Sequence, residues 1–223
     1  MADGVTDALR EAILDGLLPA SSWLREEDLA AELEVSRTPV REALRRLTAE
    51  GLAVRAPNQG VQVAPMAIED ILAVYAVREN LEGLAARLAA RRCGDELAAS
   101  LRDAQRRFEA AGAADDITAM ISLNLEFHRI IRQATGNQYL ERFLTLVEHA
   151  VRRFGGTTFE TPQRRAETVR EHGRIVDAIV EARPDDAEKL AMEHMRRARD
   201  ARIQSFLESN ALGRLGPQSS DAS

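Results

Sequence analysis

The amino-acid sequence predicts a mainly α-helical protein in two domains, with three helices and a two-stranded hairpin over residues 1–65 and an all-helical antiparallel bundle of about six helices over 66–209. Residues 210–223, rich in Gly, Ser and Pro, are expected to form a disordered tail. Three observations lead to this reading. Hydrophobic content is 45% but aromatic content only 4%, the composition of Ala- and Leu-rich helices. Strand-like alternation is confined to Leu52 through Val63, around the turn residues Pro57, Asn58, Gln59 and Gly60. From Ile68 onward apolar residues recur at helical spacing between short polar breaks.

The first helix is predicted near Val5 to Asp15, with Val5, Leu9, Ala12 and Ile13 inward and Gly16 closing it. Leu29, Ala30 and Leu33 form the next apolar stripe. After a break at Glu34 to Ser36, a third helix carries Val40, Ala43, Leu44 and Leu47. Ser36 stands where an N-cap is wanted, and Pro39 falls in the first turn, where a missing N–H costs nothing. Gly51 ends this helix, and Leu52, Val54, Val61 and Val63 are the inward residues of the hairpin. Two short helices across a tight turn, followed by a hairpin, describe a winged helix-turn-helix. The outer face of the third helix carries Arg37, Arg41, Arg45 and Arg46, guanidiniums suited to base edges and phosphates in a major groove.

A charge run is usually only a solvated face, so its context matters. From Arg37 to Arg55 five arginines oppose Glu42 and Glu50, a local net of 5 − 2 = +3 in a chain of formal charge −6. Positive charge so localised suits a protein that touches DNA with one small surface, and the acidic balance excludes a basic architectural protein.

In the second domain, helices are predicted near residues 67–92, 95–111, 115–135, 137–154, 162–182 and 185–208. Three of the four histidines sit on apolar stripes. His128 continues Ile117, Ile121, Asn124 and Ile131, His172 lies between Val169 and Ile175, and His194 sits among Ala187, Leu190, Ala191 and Ala198. His149 lies off the stripe of Leu140, Phe143, Leu144, Val147 and Val151 and reads as a surface residue. A lone inward histidine is commonly a satisfied core residue, but three from different helices, with Asn124 one turn before His128, compose an N3O set for a divalent ion. Zinc and nickel suit it first, with manganese or cobalt as alternatives. Arg78 shares the inner side of the first bundle helix, where it either meets an effector carboxylate or pairs with Glu82 one turn on.

An inward metal site in a helical bundle also describes a metal-dependent enzyme, the competing class. Di-metal oxidases need Glu-x-x-His on two helices, and here Leu125, Leu146, Val169 and Ala191 stand three residues before the histidines. HExxH and a Gly-rich phosphate loop are missing as well, so no catalytic residues are assigned. Cys93 is the single cysteine, which excludes an intrachain disulfide and a CxxC zinc motif. No apolar run approaches the roughly 18 residues of a membrane span, and the N-terminal residues do not read as a signal peptide, so a cytoplasmic protein is expected.

The segment LREEDLAAEL followed by VSRTPVREALRRLTAEGL resembles the N-terminal domain of GntR-type bacterial transcription regulators, over about Val5 to Pro65. The resemblance implies operator contacts by Arg37, Thr38 and Arg41, beside Ser36, Arg45 and Arg46, and a minor-groove role for the wing tip Asn58, Gln59 and Gly60. The chain departs from the family pattern at Glu34, where Gly is usual, and at Pro19-Ala20, where Pro-Gly is common. A non-Gly residue held at positive φ costs roughly 1 to 2 kcal/mol, so Glu34 implies that strain or a different turn. The region from Ile68 to Glu208, opening IEDILAVYAVRENLEGLAARLAA, is similar to the ligand-sensing FCD domain of the FadR subfamily. That resemblance implies a metal held by Asn124, His128, His172 and His194, with Asn where Asp is frequent. Six helices resemble the vanillate-type branch, whose effectors are small carboxylates. The implied protein is a homodimeric repressor that reads a pseudo-palindromic double-stranded DNA operator and answers to a small organic acid.

Overall fold

The computed structural model describes residues 2–57, 59–154 and 157–213, the last five of them by backbone alone. The described residues form nine helices and one two-stranded sheet, in two compact units, Met1–Ala67 with His149–Gly155 and Ile68–Glu148 with Gly156–Ser223.

The first unit contains α1 (Ala2–Leu14), α2 (Glu26–Glu32), α3 (Arg37–Ala49), β1 (Ala53–Ala56) and β2 (Gly60–Val63). Val5, Leu9, Ile13 and Leu14 of α1 pack in one core with Val40, Ala43, Leu44 and Leu47 of α3. A fully buried Leu such as Leu47 contributes about 1.5 to 3 kcal/mol. Ala12, expected inward, is only half-buried, because Leu14 takes the last inward place on the helix.

The turn between α2 and α3 is a left-handed cap. Glu34 has φ +53°, its N–H donates to the Ala31 carbonyl at 3.3 Å, and the Val35 N–H donates to Ala30 at 3.0 Å. Of the two possibilities the sequence left, strain is the one realised, since Glu carries a Cβ where Gly carries none. Glu34→Gly is expected to stabilise the protein by about 1 kcal/mol, read as a higher urea midpoint at unchanged slope.

Ser36 occupies the N-cap position of α3 with extended backbone, φ −72° and ψ 163°, but its hydroxyl makes no capping hydrogen bond. The usual donors are the N–H groups of the second and third helical residues, and the third here is Pro39, which has none. The far end of α3 is closed as expected: Gly51 has φ +74° and the Leu52 N–H donates to the Leu47 carbonyl at 2.9 Å. That cap draws Leu52 into the turn and starts the strand one residue later. β1 and β2 then pair antiparallel with Ala53 opposite Val63 and Arg55 opposite Val61. Ala53 therefore faces the core, and Val54, expected inward, is half-buried on the other face beside Gln62. A further bridge joins Trp23 to Gln62, and Leu24 donates to the Val61 carbonyl at 2.8 Å, so a third extended segment borders β2.

The remaining helices are α4 (Ile68–Arg91), α5 (Asp95–Ala113), α6 (Ile117–Ala134), α7 (Gln138–Arg152), α8 (Pro162–Val180) and α9 (Pro184–Gly213), all in the second unit but for the end of α7 from His149. The six helices match the predicted ones closely, except that α9 runs to Gly213 rather than ending near 208; residues 214–223 of the expected tail lie outside the described residues. Asp116 caps α6 by accepting from the Ala119 N–H at 2.9 Å, and Thr161 caps α8 by accepting from Arg164 N–H at 3.2 Å. α4 and α9 approach closely because Ala85, Ala86, Ala89 and Ala90 share a core with Ala187 and Ala191. A Cβ at Gly83 would lie 2.6 Å from the Met192 Cγ, so any larger residue there would force Met192 to move.

Two stripes differ from expectation, the first by a rotation and the second by one residue. On α6 the inward residues are Met120, Leu123, Phe127, His128 and Ile131, which leaves Ile121 39% exposed. On α7 Leu140, Leu144 and Val151 are buried while Phe143 is 55% exposed. No described helix is long and apolar enough to cross a membrane.

Candidate metal centre and DNA-reading surface

The DNA-reading candidates lie on the outer face of α3 and the hairpin tip. Ser36, Arg37, Thr38, Arg41 and Arg45 are exposed, as are Gln59 and Gly60, the latter at φ +113°; Asn58 lies outside the described residues. Arg46 is exposed too, and its guanidinium donates to Asp3 at the start of α1. An open groove of about 770 Å³ separates α2 and α3 from the hairpin, with Arg25, Arg37, Arg41, Arg55, Gln59 and Gly60 on its walls.

Acids that the sequence reading passed over share this groove. Arg37 Nη1 donates to Glu27 Oε1 at 2.9 Å, and Arg41 Nη2 donates to Glu26 Oε2 at 2.8 Å with Nε at 3.1 Å from Oε1. The Arg41 guanidinium bonded to it holds the Glu26 carboxyl below the usual carboxylate range. The available signal was the run Glu26, Glu27, Asp28, which forms the first turn of α2, where acids favour the helix dipole.

In the second unit, His128 of α6, His172 of α8 and His194 of α9 converge, each offering a ring nitrogen within 4.8 Å of the others. All three are buried, His172 completely. Asn124 stands one turn before His128 on α6 and is half-buried. The fourth histidine, His149, lies on α7 and is half-buried.

The tautomers follow from carboxylates on neighbouring helices. His194 Nδ1 is 2.6 Å from Glu171 Oε2, and His128 Nδ1 is 3.3 Å from Glu82 Oε2. A carboxylate accepts, so each Nδ1 carries the proton and each Nε2 presents a lone pair. The His128 Nε2 is buried with no hydrogen-bond partner. The His172 and His194 Nε2 atoms lie 3.3 Å apart. Two nitrogens bound at about 2.0 to 2.1 Å to one tetrahedral ion stand roughly 3.3 to 3.4 Å apart, so this spacing suits a shared ion.

His172 is sandwiched by Phe127, at 4.0 Å between ring centroids and 11° between planes, and Phe108, at 4.8 Å and 29°. Burial there pushes its pKa well below the usual histidine value, with the other two imidazoles adding to the shift. Burial also lowers His194 to about 4, against the opposing pull of Glu171. Both rings are neutral at neutral pH, the state that binds metal. The donor set fits a divalent ion.

The carboxylates are themselves held. Glu171 accepts from Arg164 Nη1 at 2.7 Å and Nη2 at 3.0 Å, and from Arg197 at 3.2 Å. Glu82 accepts from Arg78 Nε at 3.3 Å, and the Arg78 guanidinium also lies over the Tyr75 ring at 5.6 Å. Arg78 is thus buried, paired within its own helix, and joined through Glu82 to His128. Despite burial, the neighbouring His128 ring and the Arg78 guanidinium hold Glu82 at about 2. Spacing places Glu82 one turn from Arg78, as the structure shows, but it could match neither glutamate to its histidine, since Glu171 and His194 are 23 residues apart on different helices.

Comparison with known proteins follows this geometry. Residues 1–63 match the family model described as bacterial regulatory proteins, gntR family, and residues 73–197 match the FCD domain. The probable D-xylose utilization operon transcriptional repressor of Paenarthrobacter nicotinovorans is 30% identical over 196 residues, 87% of this chain and 85% of that one. The Nta operon transcriptional regulator of Aminobacter aminovorans is 31% identical over 177 residues, 78% and 81% of the two chains. The solved structure of E. coli McbR/YncC shares the fold, with TM-score 0.74 at 21% identity over 92% of this chain and 98% of that one.

Proposed function

Since the chain belongs to the gntR family of bacterial regulatory proteins and is a DNA-binding transcription regulator with an FCD domain, we propose that it is a cytoplasmic repressor released by a small carboxylate bound at a divalent metal. The observation that carries the sensing part is the convergence of three buried imidazoles, two of them oriented by Glu82 and Glu171 through Nδ1. His128, His172 and His194 would hold the ion with the Asn124 side-chain oxygen, and zinc or nickel suits that set first. The bound ion supplies Lewis acidity that attracts an anionic oxygen. None of the four donors is a carboxylate, and the two carboxylates that bond the histidines, Glu82 and Glu171, are each already engaged by arginine. An anion is the matching effector, and Arg78, which pairs with Glu82 in the structure, would have to exchange that partner to receive its second end.

The reading of a repressor draws on the relative named as one, which matches over most of both chains. The reading of a homodimer is supported by Tyr139, Phe143 and Leu146, which follow one side of α7 at steps of four and three and are 63, 55 and 59% exposed. Two copies would place two α3 helices on the halves of a pseudo-palindromic operator. In the effector reading, the carboxylate joins α4 to the helices that bear the ligands. α4 begins at Ile68, directly after the Ala64-Pro65 connection to the hairpin, so displacement of α4 acts on the DNA-reading domain.

Candidate carboxylic acids are tested by thermal shift on protein loaded with zinc or nickel. The effector at 100 times its Kd is expected to add about 2.7 kcal/mol of stability. The same acid should lose most of that shift with Arg78→Ala and all of it after metal removal. An equal shift in the stripped protein would move the effector site away from the metal.

A further inference from the structure

The two foremost DNA-reading arginines are held in different ways, and the difference lies in which edge of the guanidinium is used. Arg41 donates Nε to Glu26 Oε1 at 3.1 Å and Nη2 to Glu26 Oε2 at 2.8 Å, a side-on pair. A guanidinium has five N–H donors, so this pairing leaves the opposite edge, Nη1 with the second Nη2 hydrogen, unclaimed by Glu26. That edge is the fork that binds guanine O6 and N7. Arg37 instead places its end-on nitrogens on α2, with Nη1 2.9 Å from Glu27 and Nη2 3.7 Å from Glu26. The side chains of Arg37 and Arg41 are 55 and 56% exposed, and that of Glu26 only 28%.

We propose that Glu26 is a specificity-determining positioning residue, which braces Arg41 from the side so that its outer fork meets a base edge in one fixed orientation. The proposal rests on α3 being the DNA-reading helix. Two physical consequences favour discrimination. A braced side chain has fewer rotamers to lose when it meets the correct base, whereas an unbraced arginine follows whichever phosphate lies nearest. The carboxylate also offsets the Arg41 charge, which weakens attraction to DNA of any sequence and leaves the oriented fork as the source of affinity. Around the groove Arg25, Arg37, Arg41 and Arg55 face Glu26, Glu27 and Asp28, so the local net charge is only 4 − 3 = +1.

The test compares a duplex selected by the wild-type protein from a randomised pool with a random-sequence duplex of equal length. Glu26→Gln keeps the shape and removes the charge. It is expected to bind the random duplex several-fold more tightly and to lose about tenfold of the discrimination between the two. The slope of log K against log salt on the random duplex should steepen by about one, as Arg41 becomes available to a phosphate. In an Arg41→Ala background Glu26→Gln should change discrimination no further. Asp28→Asn removes the same charge from the same helical turn without a bond to either arginine, and it is expected to leave discrimination unchanged. Wild-type discrimination in Glu26→Gln, or an equal loss in Asp28→Asn, would overturn the proposal while Arg41→Ala still loses the selected site. Retention of that site by Arg41→Ala would instead remove the recognition-helix reading beneath it.

Discussion

Replacing both Arg37 and Arg41 by alanine is expected to abolish sequence-specific DNA binding while the thermal unfolding midpoint stays within a few degrees of wild type. Both side chains are more than half exposed, and among the described residues their ion-pair partners are Glu26 and Glu27 on the same surface, so the fold loses little. Binding loses far more. A bidentate contact from arginine to guanine discriminates by about 1 to 3 kcal/mol, so each single substitution is expected to cost roughly 5- to 150-fold and the pair to approach the random-sequence level. Arg45→Ala should differ in kind, with affinity lowered alike for selected and random duplexes as a phosphate contact is lost. Fluorescence anisotropy over a salt series separates the two behaviours. Undiminished affinity of the double variant for the selected duplex would place the reading surface elsewhere.

The second large effect concerns the ion. Protein dialysed against zinc or nickel and then desalted is expected to retain close to one ion per chain, and His172→Ala with His194→Ala to retain none, by elemental analysis. Removing two of three imidazoles leaves His128 and Asn124, too few ligands for a stable site. Glu171→Gln should lower metal affinity by about 10- to 100-fold without removing a ligand, because the His194 ring then faces a neutral amide in place of the carboxylate that fixes its tautomer and raises its basicity. Full retention by the double variant would mean that other side chains hold the ion.

The helices of both units were legible from apolar spacing, and the αL cap at Gly51 from the residue type that such a cap favours. The inward placement of His128, His172 and His194 was legible for the same reason, since each falls on the buried face of its own helix. What spacing cannot supply is the pairing between helices. Glu171 was invisible as the partner of His194, and Glu26 as the partner of Arg41, because each contact depends on how two helices cross. Local patterns also leave an error of one residue in rotation. Ile121 and Phe143 fit their stripes on periodicity alone, but the packing buries Met120 on α6, and on α7 it buries Leu140, Leu144 and Val151 of the expected stripe while Phe143 stays exposed. Ser36 was read correctly in position and wrongly in role, since Pro39 removes the N–H that its hydroxyl would have met.

The central claim is that the metal-held acid and the operator oppose each other through one chain. It is tested by titrating the selected duplex into metal-loaded protein with and without a saturating acid identified by thermal shift. A coupling of about 1 to 3 kcal/mol is expected, a 5- to 150-fold loss of operator affinity, with the operator weakening acid binding by the same factor. The coupling should vanish in metal-stripped protein. An acid that binds through the metal and leaves operator affinity unchanged would contradict the claim.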